Sequence, residues 1–256
     1  MDRTDPMAAA RPLLIVVPCY NEAARLDPEQ FLAFADAEPG VGFVCVDDGS
    51  TDATRQVLRD LARANAGAID VVALDRNGGK AEAVRRGLQH ACSRGAVMVG
   101  YWDADLATPL DAIVRFRDVL ERRPDLHVVL GARVKLLGRA IDRTPGRHVI
   151  GRFFATIASV AIDLPVYDTQ CGAKLLRTSD TLRAALTTPF RSRWAFDVEL
   201  LLRLKRGFAA QSIALDSVCC ELPLETWRDV HGSKLKPADL PRSLAELGRI
   251  WWEGRR

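Results

Sequence analysis

The sequence predicts an α/β fold built on a mainly parallel, doubly wound sheet. Three observations predict it. Short apolar, β-branched runs alternate with amphipathic runs through residues 13–130. The connections are short, as expected of strand–helix units. Polar clusters recur at the ends of the predicted strands: Pro18 to Glu22, Asp47 to Asp52, and Asp103 to Asp105. Parallel sheets bind ligands at the carboxyl ends of their strands.

The elements follow in order. Leu13 to Val17 is a strand-length apolar run, ended by Pro18. Pro28 to Ala37 predicts a helix, and Gly42 to Val46 a second strand ending at Asp47-Asp48. Ser50 or Thr51 is a candidate cap for a helix from Asp52 to Asn65. Ile69 to Leu74 is the third strand, and Lys80 to Cys92 a helix after the Gly78-Gly79 turn. Ala96 to Tyr101 is the fourth strand, Pro109 to Arg122 a helix, and His127 to Leu130 another strand. After Arg133 a basic stretch (Arg139, Arg143, Arg147, Arg152) precedes an apolar helix from Phe153 to Ile162. A loop, Tyr167 to Lys174, leads to further helix and strand.

The bulk properties exclude some classes. The net charge of +3 argues against nucleic acid as partner. None of the six cysteines forms a Cys-x-x-Cys pair, which argues against a zinc ribbon, and several sit in apolar runs and read as small core residues in a reducing compartment. Met1 to Arg11 has no apolar signal core, and no run approaches the roughly 20 apolar residues of a membrane span. The expectation is a cytoplasmic protein, soluble or peripheral on the cytoplasmic face of a membrane. With no repeat or linker, the chain reads as a disordered tail (1–11), one domain (12–238) and an amphipathic C-terminal helix (239–256). In the last, Leu240, Leu244, Leu247 and Trp251 share a helical face. Trp251-Trp252 beside arginines suits a membrane interface, and a helix docked on the domain explains the same pattern.

Four constellations carry candidate chemistry. Asp103-x-Asp105 at a strand end would bring two hard oxygen donors to a divalent cation, Mg²⁺ or Mn²⁺; in isolation, a solvated turn explains it as well. Asp47 and Asp48 would accept hydrogen bonds from a base or ribose, or merely form a capped turn. Gly78-Gly79-Lys80 offers backbone N–H groups and a cation to phosphate, without the spacing of a Walker loop or a dinucleotide fingerprint. Asp197 and Glu199, flanked by apolar residues, suit either a partly buried base or the acidic first turn of a helix.

Taken together, these motifs resemble the family-2 inverting glycosyltransferases of GT-A fold, the nucleotide-diphospho-sugar transferase fold with its Rossmann-like sheet flanked by helices. The residues that carry the resemblance are Pro18-Cys-Tyr-Asn-Glu22, Asp47 to Asp52, Gly79-Lys80 and Asp103-Ala-Asp105. Asp168 to Lys174, Arg193 to Leu200 and Trp227 to Lys234 resemble the dolichyl-phosphate β-glucosyltransferase branch. The resemblance implies a nucleotide-sugar-binding half (12–132) and an acceptor half (133–238). Pro18, Tyr20, Glu22, Asp47, Asp48, Lys80 and Asp103 would bind the donor, and Asp105 with Asp103 the metal. Arg133 would grip an acceptor phosphate, assisted by Arg147, Arg152, Gln170 and Lys174. Asp105, Asp197 and Arg133 would carry catalysis, with Asp197 either a base or an organiser of the arginines. The branch implies glucose from UDP-glucose and a polyprenyl or dolichyl phosphate acceptor. Alternatives are another donor (GDP-mannose or UDP-N-acetylglucosamine), a soluble hydroxyl acceptor, or sugar-nucleotide binding without catalysis. A nucleotidyltransferase or a dehydrogenase fits the motifs less well. Ala107 stands where mannosyl relatives commonly have Gln, and Gly172-Ala-Lys174 where the glucosyl branch has Gly-Phe-Lys. Oligomeric state is not encoded in these motifs.

Overall fold

The computed structural model describes residues 12–142, 145–230, 246, 248 and 252, and of 145–153 the backbone alone. The tail 1–11, nearly all of 239–256, and the side chains of Arg143, Arg147 and Arg152 lie outside the described residues.

The first half runs β1 (Leu13–Cys19), α1 (Pro28–Ala37), β2 (Val41–Asp47), α2 (Thr54–Ala64), β3 (Ile69–Ala73), α3 (Lys80–Ser93), β4 (Met98–Trp102), α4 (Ala112–Arg122) and β5 (Val128–Ala132). The second runs β6 (Ala140–Asp142), α5 (Pro145–Ile162), β7 (Ala173–Arg177), α6 (Asp180–Leu186), α7 (Phe196–Ala209), β8 (Cys219–Pro223) and β9 (Thr226–Arg228). Seven strands form one sheet in the order β3-β2-β1-β4-β7-β5-β8, in which only β7 runs antiparallel. The fold is GT-A.

Strand alternation builds two cores. Leu14 and Val16 face a cluster shared with α3, α5, α6 and α7, whereas Leu13, Ile15 and Val17 face one shared with α1, α2 and α4. Burial on both faces explains why the strands read as unbroken apolar runs. All six cysteines are free thiols. Burial lifts Cys45 to about 12 and Cys171 to about 11, so both are poor nucleophiles at neutral pH.

Several expectations are corrected. Pro18 does not end β1: it pairs with Val46, and the strand runs on to Cys19. The backbone of Leu13 and Cys19 hydrogen-bonds on the β2 side, so by alternation the Pro18 nitrogen faces β4. Pairing with β4 ends at Val16↔Tyr101, so the missing N–H breaks no ladder bond. Neither Ser50 nor Thr51 caps α2, which starts two residues later than expected, at Thr54. The Ser50 hydroxyl instead accepts from Asn21 N (3.1 Å), tying the β1 loop to the β2 loop. The helix expected from Pro109 starts at Ala112.

Because β1, β2, β4 and β5 are parallel, their carboxyl ends share one edge. Antiparallel β7 begins at that edge, which brings the loop 167–172 there too. The candidate site residues converge on this edge.

Candidate functional site

Asp103 and Asp105 follow β4 directly. Asp103 N donates to Gly172 O (3.1 Å), and Asp103 forms an ion pair with Lys80, the first residue of α3. Asp105 Oδ1 accepts from Ala107 N (3.1 Å), closing a tight turn. Leu106 within it sits at φ +50°, a region that non-glycine residues occupy at a cost of about 1–3 kcal/mol. A Cβ at Gly172 would collide with both carboxylate oxygens of Asp103, so that glycine leaves the space the acid occupies. Desolvation, then the charge of Asp103, pushes the Asp105 carboxyl above its ordinary range, against the pull of Lys80 and Arg25. Burial pulls the Lys80 ammonium downward, but Asp103, Asp197 and Asp105 outweigh it and the net shift is upward.

The Asp47-Asp48 pair is turned inward. Asp47 is fully buried, with Oδ1 accepting from Ser50 N (2.9 Å) and Oδ2 from Arg55 Nε (2.6 Å). Asp48, 2% exposed, accepts from Gly78 N (2.7 Å) and Gly79 N (2.8 Å). In this arrangement both carboxylates are occupied by protein groups, and they brace the loops at this edge. Asp48 fixes the Gly78-Gly79 turn, and Gly49, at φ +66°, lets the backbone pass against Arg76 and Asn77. Pro18 and Tyr20 are partly exposed at the end of β1. Glu22 is nearly buried, and its two oxygens accept from Arg25 Nε (2.9 Å) and Nη2 (2.6 Å). Arg25 therefore stands as an oriented cation that acts on Asp105. Sequence reading missed it; its i,i+3 spacing from Glu22 was the available signal.

Among the residues expected to bind an acceptor, Arg133 follows β5. Its Nε and Nη2 donate to Asp168 Oδ2 and Oδ1 (2.6 and 2.8 Å), and its guanidinium lies 5.4 Å from the Trp227 ring centroid. Asp168 N in turn donates to Glu221 Oε1 (2.8 Å). Burial lowers the Arg133 pKa, but Asp168 overrides it, and the guanidinium is held charged. Gln170 Nε2 donates to Trp194 O (3.4 Å), joining the loop 167–172 to the start of α7.

Asp197 and Lys174 depart from expectation. Lys174 is 1% exposed and Asp197 5%. Lys174 Nζ donates to Asp197 Oδ1 (2.7 Å) and Cys171 O (2.7 Å), and the Tyr101 hydroxyl donates to the same Asp197 oxygen. Tyr101 and Lys174 are register partners across β4 and β7, so the sheet itself sets this contact. Lys174 is therefore not placed to meet an acceptor phosphate, nor Asp197 to take a proton from a bound acceptor. They are a buried pair beneath Asp103. The Glu199 half of the fourth constellation is structural as well. Its carboxylate accepts from Arg191 N and Ser192 N and pairs with Arg203 (2.6 Å).

Arg193, quoted from the sequence only as the first residue of a branch motif, is a second cation at this edge. From the second half of the chain it reaches the α3 start, where Nη2 donates to Asn77 Oδ1 (3.1 Å). A Cβ on Gly79 would lie 2.8 Å from its Nε.

A sheet edge that joins paired acids, a lysine at a helix start and a fixed arginine is suited to a sugar nucleotide and an anionic acceptor. The family model described as Glycosyl transferase family 2 matches residues 14–181. The chain belongs to this family. Among family-2 relatives, the dolichyl-phosphate β-glucosyltransferase of Dictyostelium discoideum is 32% identical over 241 residues, covering 88% of this chain and 69% of its own. The enzyme of the same name from Drosophila melanogaster is 32% identical over 239 residues, covering 88% and 69%. Among solved structures, glucosyl-3-phosphoglycerate synthase from Mycobacterium tuberculosis, in complex with Mn²⁺, UDP and phosphoglyceric acid, superposes with a TM-score of 0.62. The two are 20% identical, with 96% of this chain and 81% of that one covered. Among the described residues no helix is long and apolar enough to cross a membrane.

Proposed function

We propose that the chain transfers glucose from UDP-glucose to a polyprenyl or dolichyl phosphate, inverting the anomeric carbon. One observation favours a phosphate acceptor over a hydroxyl: the two carboxylates nearest the proposed acceptor residues are committed to cations, Asp168 to Arg133 and Asp197 to Lys174. A hydroxyl nucleophile needs a base, and neither acid is free to act as one. A phosphate monoester is already anionic near neutral pH and needs none. The names of the relatives support the same acceptor and the glucosyl donor.

Asp105 and Asp103 suit a divalent ion, Mg²⁺ or Mn²⁺. They are adjacent hard oxygen donors, and burial first, then the charge of Asp103, disfavours the ionised form of Asp105, a penalty that a bound cation would relieve. The Mn²⁺ complex of the structural neighbour supports this cofactor. When bound, such an ion supplies positive charge to the departing diphosphate. Lys80 adds a second cation at the α3 start. Arg133 is oriented by Asp168 and backed by Trp227. Held in this way, its charged guanidinium would offer its remaining N–H groups to an acceptor phosphate. Peripheral attachment runs through the C-terminal segment, where Trp252 is 59% exposed.

The test is a donor screen by isothermal titration with UDP-glucose, UDP-galactose, UDP-N-acetylglucosamine and GDP-mannose in Mn²⁺, beside Asp105→Ala. It is followed by transfer assays on polyprenyl phosphate and polyprenol. Selective UDP-glucose binding, lost in Asp105→Ala, and transfer to the phosphate alone are expected. Binding of GDP-mannose alone overturns the donor, and transfer to the alcohol overturns the acceptor.

A further inference from the structure

We infer that Arg193 is a ligand of the donor diphosphate, so that the nucleotide site is completed from the acceptor half of the chain. The inference rests on the proposed placement of the donor between Lys80 and the Asp103-Asp105 pair.

Arg193 is exposed, yet its mount is rigid. Arg191 N and Ser192 N donate to Glu199 Oε2 (2.9 and 3.1 Å), and Ser192 Oγ accepts from Ala195 N (2.6 Å). The Ser192 hydroxyl also donates to Glu246. An arginine on a fixed backbone loses less entropy when it binds than one on a free loop.

Its approach to α3 is built into the sequence. Gly79, at φ +88°, is the residue over which the guanidinium passes, and any side chain there would meet Nε and Nη2. Lys80 follows immediately.

The charge balance singles it out. Lys80 faces Asp103, Arg25 faces Glu22, and Arg133 faces Asp168. Arg193 is held by a neutral amide, Asn77, and among the described residues no carboxylate lies within ion-pair reach. Asp48 feels its charge, but its two oxygens already hold Gly78 N and Gly79 N. An arginine placed by a neutral partner, beside a lysine, keeps its charge and N–H groups for an anion. Its planar fork matches two phosphate oxygens at once.

The test is isothermal titration of UDP and of UMP into the full chain and into its Arg193→Ala and Arg193→Lys variants, all with Mn²⁺. Losing a charge-assisted contact predicts UDP binding about 10- to 100-fold weaker in Arg193→Ala. UMP binding is little changed, and Arg193→Lys falls between. Equal weakening of UDP and UMP overturns the inference, because it points to the loop or the nucleoside rather than the second phosphate. Unchanged UDP affinity overturns it too. Failure of the unsubstituted chain to bind either nucleotide overturns the donor reading beneath it.

Discussion

Replacing Asp197 with alanine strips the buried counter-charge from Lys174. At 2.7 Å and an effective dielectric constant of about 20, the gross attraction is about 6 kcal/mol, and desolvation of both ions offsets part of it. Breaking such a pair from one side leaves an uncompensated charge and costs about 3–5 kcal/mol. That is a large part of the roughly 5–15 kcal/mol that holds a domain together. Asp197→Ala is therefore expected to lower the urea midpoint at unchanged slope and the melting temperature by about 6–20 °C. The triple change Tyr101→Phe, Lys174→Met and Asp197→Leu removes every side-chain group that the pair would leave stranded, and is expected to regain most of that stability. Transfer activity, measured below the melting range, should return with it. A loss under about 1 kcal/mol in Asp197→Ala would refute the buried-pair reasoning. A triple variant that is stable but inactive would show instead that the Asp197 carboxylate acts on the acceptor.

Gly172→Ala should push Asp103 aside with little change in melting temperature, cutting kcat/KM about 100-fold, the usual effect of a small misplacement at a reacting centre; full activity would mean that Asp103 is not needed where it stands. Asp105→Asn should raise stability at pH 7. Folding raises this carboxyl's pKa, so its ionised form opposes folding at neutral pH, and the penalty fades as the pH falls through the raised pKa toward the ordinary value of 3.8. Urea titrations at pH 7 and pH 3.5 check that sign, and a stability gain that grows on acidification would contradict it. EDTA should abolish transfer, and added Mn²⁺ or Mg²⁺ should restore it. Trp252→Ala should weaken co-sedimentation with anionic vesicles while leaving UDP-glucose binding intact.

The alternation of elements, the two-sided sheet and the strand-end location of the chemistry were legible in the sequence, because they are local. Apolar runs of strand length reveal burial on both faces, and Asp103, Asp105 and Lys80 each directly follow a strand or begin a helix. Motif order also carried the family, since Pro18-Cys-Tyr-Asn-Glu22 through Asp103-Ala-Asp105 all fall within the matched residues 14–181. What a carboxylate or a cation faces was not legible, because partners come from distant segments. Asp47 looks like a ligand for ribose until Arg55 covers it. Lys174 looks like a phosphate ligand until antiparallel β7 slides between β4 and β5 and sets it opposite Tyr101, under Asp197. Arg193 reads as a flank of an apolar motif until tertiary folding carries it 116 residues back along the chain to Asn77. Residue type and spacing fix which groups can ionise or bind. Only long-range packing decides which of those charges are neutralised inside the protein and which are left for a substrate.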